Sequence, residues 1–137
     1  CINTITKSMG ADDYILNVTS GWMTPVMFVA VTFIVGAMIS FFTGSSWGTF
    51  AICIPIAVPM AYGFTGGQLG ILVYAAVGAV VSGGLFGDHC SPVSDTTVLS
   101  SLGSACDHID HVRTQVPYAI TAAIISIIGW IIVAAMA

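Results

Sequence analysis

The sequence predicts an all-α membrane protein of about three full transmembrane helices and two broken or re-entrant half-helix segments. Three observations carry that prediction. Charge is scarce: the 137 residues hold 2 basic and 6 acidic side chains, 6% of the chain, while 57% are apolar and mean hydropathy is +1.02. A soluble domain carries about 25% charged residues, so a water-facing surface cannot be built here. Charge is also clustered, with no Lys, Arg, Asp or Glu from Tyr14 to Gly87 or from Thr114 to Ala137. Finally, two polar, glycine-bearing interruptions divide the apolar runs, as in broken transporter helices. There is no basic patch, which excludes nucleic-acid binding.

In chain order, residues 1–23 mix polar and apolar types around Lys7, Asp12 and Asp13 and read as a loop or interfacial segment. The Asn17-Val18-Thr19 sequon is read as incidental. Residues 24–137 read as a transmembrane transport domain. Pro25–Phe42 is an apolar run long enough, as a helix, to cross a hydrocarbon layer of about 30 Å. Thr43–Thr49 is small, polar and a poor helix by propensity. Phe50–Tyr62, interrupted by Pro55 and Pro59, is too short to span comfortably and reads as a half-helix. Gly63–Gln68 makes a turn, and Leu69–Phe86 is the second full span, with small residues that permit close helix contact. Gly87–Thr97 is the second break, enforced by Pro92, which lacks a backbone donor and disfavours helix at Ser91. Val98–Ala105 is again too short to cross. Cys106–Gln115 carries Asp, His and Arg and reads as a polar loop, and Val116–Ala137 is the last span, with Trp130 placed toward an interface. At about 20 residues per crossing the chain holds three or four spans. It begins with Cys1 and lacks the basic-then-apolar order of a signal peptide. It therefore reads as the C-terminal part of a longer transporter, with the bilayer and the missing N-terminal half as partners and a homodimer as a compatible assembly.

The breaks concentrate the chemistry. Unwound backbone survives at membrane depth only when buried in protein or lining a wet cavity. There, freed carbonyls and the hydroxyls of Ser45, Ser46, Thr49, Ser91, Ser94, Thr96 and Thr97 are hard oxygen ligands suited to Na⁺. Half-helices beginning near Thr49 and Thr96 point positive dipole ends inward, and Asp88 and Asp95 supply the negative partner. Burial favours a protonated carboxyl and a nearby cation favours an ionised one, so H⁺ and a cation competing for one carboxylate is the minimal chemistry of exchange. Asp95 is the first choice for the Na⁺ site, because intramembrane carboxylates are rare and costly. Asp88 has two readings, ion carrier or helix cap. His89 orients Asp88, lies at a boundary, or joins His108 and His111 as a proton relay or pH sensor. Asp107, His108, Asp110 and His111 form either a solvated loop or, through the histidines, a proton relay or pH sensor. Arg113 reads as an interfacial anchor or a cytoplasmic marker. His89, Cys90, Cys106, His108 and His111 include zinc-ligand types, but their spacing is irregular and lacks a Cys-x-x-Cys pair. No nucleophile elbow is present, so the chain reads as a transporter rather than an enzyme. No cofactor is expected, and Na⁺ and H⁺ are the transported ions.

Phe42-Thr43-Gly44-Ser45-Ser46-Trp47-Gly48-Thr49, the following Pro55-Ile56-Ala57-Val58-Pro59, and above all Gly87-Asp88-His89-Cys90-Ser91-Pro92-Val93-Ser94-Asp95-Thr96-Thr97 resemble the signatures of NhaC-type sodium/proton antiporters. Cys106–Tyr118 and Asp13-Tyr14-Ile15 fit the same family. The resemblance implies an inverted-repeat secondary transporter of the bacterial plasma membrane, with hairpins or broken helices meeting near the midplane. It implies Na⁺/H⁺ exchange, with coupled transport of a small organic anion or amino acid, of the malate or lactate kind, as the alternative. A non-transporting membrane subunit or fragment is the reading from a different class.

Overall fold

The computed structural model describes residues 23–136 together with Gly10. Apart from Gly10 and Met23, the interfacial assignment of residues 1–23, with Lys7, Asp12, Asp13 and the sequon, lies outside the described residues. All regular structure among the described residues is helical. The helices are α1 (Pro25–Thr43), α2 (Ser46–Phe64), α3 (Ile71–Cys90), α4 (Asp95–Gly103) and α5 (His108–Ala135).

Thr24 caps α1 through its hydroxyl, which accepts from the Met27 amide at 3.3 Å, and Pro25 occupies the first turn, where its missing donor costs nothing. The helix ends at Gly44, whose φ of +65° is left-handed and whose N–H reaches the Ser40 carbonyl at 2.8 Å. A side chain at Gly44 would also stand 2.9 Å from the Val93 carbonyl carbon and 3.1 Å from the Ser94 amide nitrogen. Conformation and proximity thus both demand glycine at the point where the two breaks touch.

The first break is narrower than the sequence predicts. Only Gly44 and Ser45 separate α1 from α2, because the Ser45 hydroxyl accepts from the Gly48 amide and starts the new helix at Ser46. Pro55 and Pro59 do not shorten α2 to a half-helix. They lie inside a continuous 19-residue helix. Each proline deprives one carbonyl of its helical donor, yet Ser46, Thr49, Cys53, Ala57 and Ala61 form one buried stripe that holds the segment helical. By length and composition α2 is a fourth candidate span, beside α1, α3 and α5, where three full spans were expected.

The second break moves the other way. α3 continues through Gly87, Asp88 and His89 to Cys90, so the unwound segment is confined to residues 91–94. The polar stretch at 106–115 is not a loop beyond Asp107. The Asp107 carboxylate accepts from the Ile109 and Asp110 amides and caps α5, whose first two turns carry the histidines. α4 is short, as expected, but begins at Asp95 rather than Val98.

Lipid tails are as apolar as leucine, so these helices are held by close packing more than by expulsion of water. α3 is the central helix, with 56% of its apolar window buried, compared with 6% for α5. α1 and α3 run parallel and nearly touch: a Cβ at Gly83 would strike the Phe33 carbonyl, and one at Gly87 the Ala37 carbonyl and the Phe41 amide. α2 returns antiparallel to α1, which brings the Phe28 and Phe64 rings to 5.4 Å. α5 runs antiparallel to α3. Trp130 faces inward, its ring over Gly78 and its indole N–H donating to the Ser82 hydroxyl at 3.1 Å. The two helix–break units therefore run in the same direction, with their breaks side by side.

Gly87→Ala should push α1 from α3 and destabilise the folded protein by about 1–3 kcal/mol, the usual range for overpacking. Gly129→Ala, where a Cβ meets nothing within 4 Å, should change stability by no more than about 0.5 kcal/mol. Thermal melts of the two variants in detergent check the contrast.

Candidate functional site

The site grows from the last turn of α3. Continuation of that helix past Gly87 carries Asp88 into the interior, where it is 7% exposed. Its two oxygens have separate partners. Oδ1 accepts from Ser94 Oγ at 2.8 Å, and Oδ2 accepts from Ser46 Oγ at 3.2 Å. Ser94 caps α4 and Ser46 is the first residue of α2, so the carboxylate joins both breaks. The N-termini of two helices lie beside it, and their unpaired amides favour negative charge there.

Other hydroxyls support this clasp. Ser91 is fully buried; its Oγ donates to the Phe41 carbonyl at 2.7 Å and accepts from the Val93 amide at 3.2 Å, fastening the second break to the end of α1. Thr97 Oγ1 lies 3.5 Å from the His89 carbonyl and backs α4 against α3. Thr49 is fully buried but bonds the Ser45 carbonyl at 3.0 Å, while Ser45 itself serves as the α2 cap. Thr96 is exposed, and its Oγ1 lies 2.8 Å from Ser94 Oγ. With the Ser94 proton directed at Asp88, Thr96 is the donor in that pair. A two-hydroxyl chain thus connects an exposed threonine to the buried carboxylate.

The two aspartates part company. Asp95 is exposed, and its Oδ1 accepts only from the adjacent Thr96 amide, at 2.9 Å. Asp88, with its two readings, is the one inside. The histidines also separate. His89 is exposed at a cavity of about 380 Å³ between α3 and α5, shared with Ser82, Phe86 and Ala123. His108 is half-buried, with Nε2 2.8 Å from the Pro92 carbonyl and Nδ1 3.2 Å from Ser101 Oγ. His111 is half-buried, with Nε2 unpartnered. Among the described residues no three His, Cys, Asp or Glu side chains are placed to hold a metal ion, so the zinc-ligand types do not converge. Cys53, Cys90 and Cys106 are free thiols.

Ser40 and Ser101 escaped the sequence reading. Ser40 is fully buried with no partner for its hydroxyl among the described residues, and its Cβ packs on Gly87, one residue before Asp88. Its only signal was a hydroxyl in the last turns of an otherwise apolar run.

Residues 1–135 match the sequence model of the Na⁺/H⁺ antiporter family. The chain is 46% identical over 132 residues to an uncharacterised protein of Haemophilus influenzae, covering 96% of this chain and 25% of that protein. It is 37% identical over 111 residues to the malate-2H⁺/Na⁺-lactate antiporter of Bacillus subtilis, covering 77% and 23%. It is also 37% identical over 112 residues to the Na⁺/H⁺ antiporter NhaC of Alkalihalophilus pseudofirmus, covering 78% and 23%. The chain thus spans about a quarter of the length of these curated relatives. No solved structure matches it. The family match across the described helices, with their length and apolar character, shows that this integral membrane chain belongs to the Na⁺/H⁺ antiporter family.

Proposed function

We propose that the chain supplies the coupling carboxylate of a cation/proton antiporter, and that H⁺ and Na⁺ occupy Asp88 alternately. The observation that carries this reading is a buried carboxylate held by two hydroxyls, Ser46 and Ser94. Among the described residues the only Lys or Arg is Arg113, which is exposed in α5. An ionised carboxylate buried without a cation is costly. Its two inexpensive states are protonated and cation-loaded, and alternation between them is exchange. Carboxylate and hydroxyl oxygens are the hard ligands an alkali cation requires. Ser46, Ser94 and Asp88 would hold Na⁺, and Ser40 on α1, whose Cβ packs on Gly87, is a further hydroxyl in the neighbourhood.

Proton delivery follows the hydroxyl chain. Thr96 passes a proton to Ser94 as Ser94 passes its own to Asp88, and the reverse shift returns it. Asp95, at the exposed start of α4, draws cations toward the mouth without binding the coupled ion itself. The helix breaks allow these groups to move together, because each is joined to its neighbours by only a few unwound residues. Similarity to the malate-2H⁺/Na⁺-lactate antiporter favours a second reading, in which the same carboxylate carries the coupling ion for an organic anion.

Reconstitution of the protein at its full length in liposomes, with internal pH followed on addition of Na⁺, Li⁺, K⁺ or malate, separates the two. A Na⁺-driven pH change without malate supports antiport, malate-dependent flux supports the second reading, and silence to all four contradicts both. Asp88→Asn should reduce exchange to background, whereas Asp95→Asn, a solvent-screened charge, should raise the half-saturating Na⁺ concentration by no more than about threefold. Abolition by Asp95→Asn alone would reverse the two roles. Thr96→Val, which keeps the shape and removes the relay, should slow exchange by about tenfold or more with little change in Na⁺ affinity, read from initial rates.

A further inference from the structure

We infer that His108 is a positioning residue for the Asp88 site, a strut that fixes the 91–94 break from the side opposite α1. This rests on the reading of Asp88 as the ion carrier. The Pro92 carbonyl can only accept, so the proton lies on His108 Nε2 and is donated across 2.8 Å. The other ring nitrogen then faces Ser101 Oγ at 3.2 Å, nearly two turns along α4 from its start, and accepts the hydroxyl proton that Ser101 shares with the Val98 carbonyl at 2.8 Å. One planar ring therefore joins three elements: the first turn of α5, the unwound break and α4. Its own position is fixed by the Asp107 cap that begins α5.

The break needs such a strut because its own bonds hold only one side. Ser91 ties it to the Phe41 carbonyl of α1, and the Ser94 amide reaches the Ser91 carbonyl at 3.3 Å. Those contacts, with the Val93 amide on Ser91 Oγ at 3.2 Å and Gly44 against Val93, all reach the break from the α1 side, and the lean of Pro92 away from that side helps to set where Ser94 Oγ meets Asp88. The Val93 side chain itself is 70% exposed. With Pro92 drawn toward α5, Ser94 is held at 2.8 Å from Oδ1. The bond to Ser101 keeps α4, which Ser94 caps, at a fixed angle to the same break. His108 thus acts as the outer shell of the cation cradle, through Pro92 and Ser94, and touches neither the ion nor its carboxylate.

The test uses the protein at full length in liposomes, with Na⁺-driven exchange measured against Na⁺ concentration and pH for wild type, His108→Ala, His108→Gln and Ser101→Ala. Loss of an outer-shell partner weakens metal binding by about ten- to a hundredfold. His108→Ala is therefore expected to raise half-saturating Na⁺ by that factor at a maximal rate within about twofold of wild type. Ser101→Ala should give a smaller shift in the same direction. Gln places an amide N–H where Nε2 stood and does not titrate, so His108→Gln should restore affinity to within about threefold with an unchanged pH profile. Unaltered affinity in His108→Ala overturns the proposal. So does a His108→Gln protein that inserts normally but has lost exchange or shifted its pH profile, which would mark a proton relay. If His108→Ala does not insert, the His108→Gln and Ser101→Ala curves decide alone. Absence of cation-driven exchange in wild type would instead contradict the underlying reading of Asp88.

Discussion

A carboxylate inside an apolar bundle, with no basic side chain beside it among the described residues, is the constraint on which the rest of this structure depends. Hydrogen bonds to a charged group contribute about 1.5–3 kcal/mol each, and a nearby helix N-terminus adds up to about 2 kcal/mol in partly buried geometry. Burying a bare ion costs several kcal/mol after relaxation. Two hydroxyls and two helix ends therefore offset part of the cost of placing Asp88 inside the bundle.

The surrounding features follow from placing that group. Gly87 lets α1 approach α3 so closely that the end of α1 reaches the second break, where Ser91 takes hold of Phe41. Gly44 turns the chain within two residues, against Val93 and Ser94, so that Ser46 arrives on the carboxylate. Pro92 ends α3 soon enough for Ser94 to fold back onto Asp88. Each break is thus only as long as needed to bring a serine hydroxyl onto Asp88.

The helical membrane fold and the presence of the two breaks were legible in the sequence, because charge scarcity and Gly/Ser/Pro punctuation are strong local signals. Lengths were less legible. Pro55 and Pro59 argue for interruption by local rule, but the buried stripe from Ser46 to Ala61 is a tertiary fact and it prevails. In the same way, Gly87 and the polar residues after it look like a break, yet the helix persists to Cys90 because Gly87 packs on α1. This is why Asp88, read as carrier or cap, lies inside while Asp95, the first choice from sequence, is exposed at the start of α4. The roles of Ser40 and His108 depend on neighbours far along the chain, which spacing alone cannot show. Parallel packing of two similar units, rather than the antiparallel reversal of adjacent helices, brings the breaks together.

Competition between ions at Asp88 is most directly tested by infrared difference spectroscopy of the purified full-length protein on addition of Na⁺. Loss of a protonated-carboxyl C=O band, gain of carboxylate bands, and disappearance of the whole difference in Asp88→Asn are the predicted result. A Na⁺-induced spectrum with no carboxyl deprotonation, or one unchanged in Asp88→Asn, would contradict it.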